Sequence, residues 1–166
     1  MEENKRPVVI ENTKFIFMTN FSGDPERSGK YASTQRTANI IIPDEELAND
    51  LRDEGFKVKQ TRPRDGEEDD FVPTYFVTIK VNYNVKYPPV IKLVSGDSNP
   101  VTLDEDTIDT LDHIRIDKVN VVLNKRFTDM GNTLWVRTMY VWQDVDDDPW
   151  AKMFAGKSEE DDYLPF

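Results

Sequence analysis

The chain contains no cysteine, which excludes disulfide frameworks, cysteine nucleophiles, Cys-ligated zinc and iron–sulfur clusters. Its single histidine, His113, leaves too little for a His-based metal site or a Ser-His-Asp triad, and near a helix end it reads as structural. The seven glycines are scattered, so there is no Gly-rich loop to cradle a phosphate. No stretch of about 18 apolar residues occurs, and no membrane span is predicted. Met1–Arg6 lacks the apolar run of a signal peptide, so the chain reads as cytoplasmic. Neither a metal nor any other cofactor is called for.

What is present suffices for a core. Of 166 residues, 37% are hydrophobic and 11% aromatic, which suits one domain with a tail. A chain of this length buries roughly 70% of its unfolded surface. The net charge of −11 argues, taken alone, against nucleic acid. Its distribution changes that reading. Residues 144–166 hold a net −6, leaving −5 for residues 1–143. The boundary divides a folded domain, 1–143, from an acidic tail, 144–166, predicted to be disordered.

Short strands and two short helices account for the body. Val8–Phe17 is a strand; residues 18–36 carry loop residues together with Arg27, Lys30, Tyr31 and Arg36. Thr37–Ile42 is a strand ending at Pro43. Asp44–Glu54 is a helix with acids in its first turn, Leu47 and Leu51 on one face, and Gly55 placed to close it. Phe56–Arg62 is a basic strand candidate, and residues 65–70 form an acidic turn. Tyr75–Asn82 alternates, with Tyr75, Val77, Ile79 and Val81 on one side and Phe76, Thr78, Lys80 and Asn82 on the other. Val90–Val94 resumes after Pro88-Pro89, and Thr102–Glu105 reads as a capping box opening a second helix with Ile108 and Leu111 inward. Ile114–Leu123 and Leu134–Trp142 form a final hairpin. The fold class is mainly β: a small barrel or sandwich.

The end of the chain is the most specific signal. Acids at Glu159–Asp162 are followed by Tyr163-Leu164-Pro165-Phe166. A solubilising tail has no need of a terminal Leu-Pro-Phe. A partner with an apolar pocket for the Phe166 ring and cations at its rim would hold such an end. Asp161-Asp162-Tyr163-Leu164-Pro165-Phe166 resembles the acidic C-terminal tip of bacterial single-stranded DNA-binding proteins. The body resembles phage and prophage single-stranded DNA-binding proteins through Asn20–Gly23, Asp44–Ala48 leading to Gly55–Lys59, Pro88–Val90, Leu103–Ile114 and Leu134–Val141. The resemblance implies an OB-fold, single-stranded DNA as ligand, and replication or recombination proteins recruited by the tip. It does not imply the bacterial homotetramer; a homodimer stays among the options.

Sequence-tolerant binding needs cations for the backbone and aromatic faces for bases. The candidates are Phe76 and Lys80 on the fourth strand, Trp135 and Arg137 on the last, Lys57, Lys59 and Arg62 in the basic ribbon, and Arg27, Lys30, Tyr31 and Arg36 in the loop. Trp135 and Phe76 could instead plug the core, and Lys57 and Lys59 could be a plain solvated face. Two further classes are a DNA mimic, on the strength of the charge, and a metal-dependent nuclease. The second lacks carboxylates converging from a rigid scaffold; no catalytic residue is assigned.

Overall fold

The computed structural model describes residues 6–25, 35–62, 72–96 and 99–144. Among the described residues nine strands form one sheet: β1 (Val8–Thr13), β2 (Phe15–Asn20), β3 (Arg36–Ile42), β4 (Lys59–Gln60), β5 (Tyr75–Val81), β6 (Val90–Ser95), β7 (Val101–Leu103), β8 (Ile116–Arg126) and β9 (Thr133–Gln143). One α-helix, α1 (Glu45–Asp53), and a 3-10 helix, Ile108–Asp112, complete the described elements. The expectation of a mainly β chain with only short helices is met.

The ladder runs β1-β8-β9-β5-β3-β2, and among the described residues its strand pairing does not close into the expected barrel. Its two ends are halves of one bent segment, separated only by Lys14. Val8 and Ile10 pair with Leu123 and Val121 of β8, whereas Phe15 pairs with Ile40 of β3. The bend sits at Asn12, whose φ of 53° is left-handed, a conformation Asn tolerates better than most residues. The Asn12 amide donates to Asn120 Oδ1 at 2.8 Å, and the Ile41 amide donates to the Lys14 carbonyl at 3.0 Å. The expected strand Val8–Phe17 is therefore two strands, and the second reaches Asn20 into what the composition marks as loop.

The long last strand organises the sheet. Along one edge of β9 lies β8, antiparallel. Along the other, the first half pairs with β5 (Lys80 opposite Trp135) and the second half with β6 (Lys92 opposite Tyr140, Val94 opposite Trp142), both parallel. Ile40, Ile79, Ile91, Val119, Leu123, Leu134, Met139 and Val141 have no exposed surface, and they belong to one core cluster. Burial of this apolar set is the main source of stability.

Helix α1 follows its sequence signals closely. The Asp44 side chain accepts from the Glu46 amide at 3.0 Å and caps the N-terminus. Its C-terminus closes in a Schellman motif: the Phe56 amide donates to the Leu51 carbonyl and the Gly55 amide to the Arg52 carbonyl, both at 3.0 Å. Gly55 has φ +92°, where a side chain would be strained. Phe56 and Leu51 are both buried in the same core cluster, as this closure leads one to expect.

Two expected elements are smaller than read. Of Phe56–Arg62, only Lys59–Gln60 is strand, because Phe56 and Val58 turn into the core beside the helix end. Thr102 lies in β7 and does not cap a helix. Asp104 instead closes the turn ahead of the 3-10 helix, whose own N-cap is Thr107: the Asp104 Oδ1 accepts from the Asp106 and Thr107 amides at 2.9 and 3.0 Å, while the Asp104 amide donates to Thr107 Oγ1. The reciprocal exchange exists, two residues later than read, and it leads into a 3-10 helix in place of an α-helix. Ile108 and Leu111 do point inward. The acidic turn 65–70 and residues 145–166, nearly all of the proposed tail, lie outside the described residues.

Candidate nucleic-acid interface

A single extra residue shapes the outer face of β9. Leu123 pairs with Val136 and Val122 with Thr138, so Arg137 has no partner and forms a β-bulge. Side chains alternate along a strand. Trp135 and Trp142 are seven positions apart and would face opposite sides of a regular strand. The bulge shifts the alternation by one. Leu134 and Val136 are buried before it, Met139 and Val141 after it. Trp135, Arg137, Tyr140 and Trp142 thereby share the outer face.

Trp135 is half-buried and held by cations on both sides. The Lys80 ammonium lies 5.6 Å and the Arg126 guanidinium 6.0 Å from its ring centroid. Its indole N–H donates to Thr133 Oγ1 at 2.9 Å, which fixes the ring's orientation on the strand. Beside it opens a pocket of about 290 Å³ lined by Arg36, Lys80, Asn82, Tyr83, Glu105 and Trp135, among others. Arg36 donates to the Phe21 carbonyl at 2.6 Å and sits 3.9 Å from the Glu105 carboxylate. Burial pushes the Tyr83 hydroxyl up to about 12, with Asp104 and Glu105 adding to the effect and Arg36 opposing it. Tyr83 therefore stays a neutral hydrogen-bond donor at any physiological pH.

Of the residues expected to meet a single strand, the fold brings Arg36, Lys80 and Trp135 together at this pocket, with Arg137 on the bulge further along β9. Phe76 does stand on the outer face, outside the core cluster, yet it is only 7% exposed. Phe17 covers it edge-on, with ring centroids 5.2 Å apart, and is itself 64% exposed. The accessible aromatic at that end of the sheet is therefore Phe17, and not Phe76. Phe17 has φ +63°, a strained setting for an aromatic residue, within an irregular stretch of the β2–β3 pairing. Lys59 pairs with Phe76 and so shares its face, while Lys57 and Arg62 are exposed nearby in the chain. Arg27, Lys30 and Tyr31, and the tip Asp161–Phe166, lie outside the described residues.

Sequence reasoning passed over Phe17, Arg126, Lys118, Tyr140 and Trp142. For the last two a signal existed: the apolar alternation changes from even positions (Leu134, Val136) to odd (Met139, Val141). It also passed over Asp112, which explains the Asn20–Gly23 string. The Asp112 carboxylate accepts from Thr19 Oγ1 at 2.7 Å and from the amides of Phe21 and Ser22 at 2.8 Å each. Asn20 adds a local clasp, accepting from the Asp24 amide at 2.9 Å and donating to the Asp24 carbonyl at 3.0 Å. These bonds anchor the root of the connection that leads through residues 26–34 to Gln35 at the pocket.

A β-sheet whose outer face sets half-exposed aromatic rings among lysines and arginines has the arrangement of proteins that hold unpaired nucleic acid. The chain belongs to a phage single-stranded DNA-binding family: the family model described as "Putative phage ssDNA-binding domain" matches residues 2–161. Membership supports single-stranded DNA as the ligand. One similar solved structure is "Single-stranded DNA-binding protein from bacteriophage Enc34, C-terminal truncation", at TM-score 0.47 and 10% identity, covering 90% of this chain and 99% of that one. No curated protein matches the sequence. Among the described residues no helix is long and apolar enough to cross a membrane.

Proposed function

We propose that the protein coats single-stranded DNA during phage replication or recombination, gripping bases on the outer face of the sheet around Trp135. The observation that carries this reading is the Trp135 ring between Lys80 and Arg126, beside the Arg36 pocket. A base stacks on the indole, and the flanking cations neutralise the phosphates on either side of it. Stacking tolerates any base because every base has a π-face, so sequence preference is weak. The acidic tip, ending in Leu164-Pro165-Phe166, recruits partner enzymes and occupies the cationic face when DNA is absent, so that DNA must displace it. Because the tail is tethered, that competition is intramolecular.

Titration of a fluorescent oligo-dT tests the binding face. Anisotropy should rise and tryptophan emission should be quenched. Affinity should fall with salt at a log–log slope near −0.7 per phosphate contacted. A flat salt response contradicts a backbone-tracking cationic face. The competing reading, a DNA mimic, draws on the charge of −11 and predicts neither anisotropy change nor quenching.

Deleting residues 158–166 tests the tail. Affinity for oligo-dT should stay the same or become tighter, and most so at low salt, where the competing carboxylates are least screened. Clear weakening on deletion contradicts the competition.

A further inference from the structure

We infer that the DNA path continues beyond Trp135 to a second stacking station at the far end of β9, formed by Tyr140 and Trp142 with Lys118 and Lys92. The inference rests on the proposed role of Trp135 and extends it.

Tyr140 and Trp142 stand on the same outer face as Trp135 only because Arg137 is bulged out. Their inward neighbours Met139 and Val141 have no exposed surface, so these two rings are not needed to fill the core. The rings lie 6.0 Å apart at an interplanar angle of 31°. The Lys118 ammonium sits 4.8 Å from the Trp142 centroid, nearer than either cation at Trp135. Lys92 stands opposite Tyr140 on β6. This is the composition of the first station again: aromatic surface with cations from the two neighbouring strands. Exposed Arg137 lies between the two stations, placed to meet the intervening backbone. At roughly 3.3 Å per strand residue the stations are about 20 Å apart. A strand crossing both is held at two points, and the second contact forms at the high effective concentration set by the first. The station does carry opposing charge: Asp117, the extra residue in a second bulge on β8, is exposed beside Lys118.

The consequence is a length dependence. With the full chain, oligo-dT affinity should keep rising from about 4 to about 12 nucleotides, the range open to a site of this type. Changing Tyr140→Leu together with Trp142→Leu keeps apolar cover on the sheet but removes the π-faces. This variant should bind the longer oligonucleotide at least about 5-fold more weakly while the shorter one changes by less than about 2-fold, so the curve levels off early. Lys118→Glu should act in the same direction, and it leaves both rings in place should the double variant unfold on thermal assay. A second readout uses Trp142 as the sole tryptophan, with Trp135→Phe and Trp150→Phe. Its emission should be quenched by the longer oligonucleotide. If Y140L/W142L and K118E leave the length dependence unchanged and Trp142 emission is silent, while Trp135→Ala still weakens binding, the second station is overturned and the first stands. If Trp135→Ala is also without effect, the underlying reading falls with it.

Discussion

Replacing Trp135 by Ala should weaken oligo-dT binding by about 1–3 kcal/mol, or roughly 5- to 150-fold, the worth of one stacked base. The indole is half-buried on the outer face, while its strand neighbours Leu134 and Val136 supply the core contacts. Removing it takes away the stacking surface and leaves Lys80 and Arg126 without the ring that positions them. The fold should lose less. The Thr133 hydrogen bond is partly open to solvent, and a bond of that kind contributes about 0.5–1.5 kcal/mol. Trp135→Phe separates the two contributions, since it keeps a π-face and gives up the indole N–H. It should retain most of the affinity. Equilibrium binding and thermal unfolding on the three proteins provide the check. A lower melting temperature at unchanged intrinsic affinity would move Trp135 from the binding face into the structural account.

The largest effect on stability should come from Asp112→Ala. One carboxylate accepts from the Thr19 hydroxyl and from two backbone amides, Phe21 and Ser22. Phe21 is fully buried, and its amide has no route to water without local opening. Hydrogen bonds to a charged group contribute about 1.5–3 kcal/mol each, and an orphaned buried amide adds a desolvation cost. Because the bonds form one unit they do not add fully, and a loss of about 3 kcal/mol is expected. For a domain of about 150 residues that lowers the melting temperature by roughly 6–12 °C. Asp112→Asn should lose less, since one oxygen still accepts; its amide nitrogen cannot replace the second oxygen toward Ser22. The loop root also carries Arg36 through the Phe21 carbonyl, so Asp112→Ala should loosen DNA binding modestly as well. A melting temperature within a degree or two of the wild type would show that the 3-10 helix does not hold this loop.

Much of the architecture could be read from residues because local and global preferences agree. In α1, Asp44 caps, Glu45 and Glu46 load the first turn, and Gly55 closes the last. In β5 the Val77, Ile79, Val81 alternation matches the buried face. The final hairpin was legible for the same reason. The misreadings occur where pairing with distant strands overrides local pattern. Composition alone marks Met18–Asn20 as loop, yet these residues extend β2, which pairs back onto β3. The capping string at Thr102 satisfied a local rule, but pairing of Val101–Leu103 with β6 made it strand. The site was half visible. Lys80 and Trp135 were named from alternation and stand opposite each other in the sheet. The bulge at Arg137 has no local signature beyond the shift in apolar alternation, and regular alternation without it assigns Tyr140 and Trp142 to the core side. Phe17 left no trace in the sequence, because its exposure depends on a left-handed backbone at one residue.

The central claim is that single-stranded DNA lies across the outer face of β9 and the strands beside it. Backbone amide chemical shifts followed during titration with oligo-dT test this most directly. The account predicts that the perturbed amides cluster on β5, β8 and β9 around Lys80, Arg126 and Trp135, with α1 and β1 silent. Shifts concentrated on α1 and the Arg6–Val9 edge, with the Trp135 indole N–H unmoved, would contradict it.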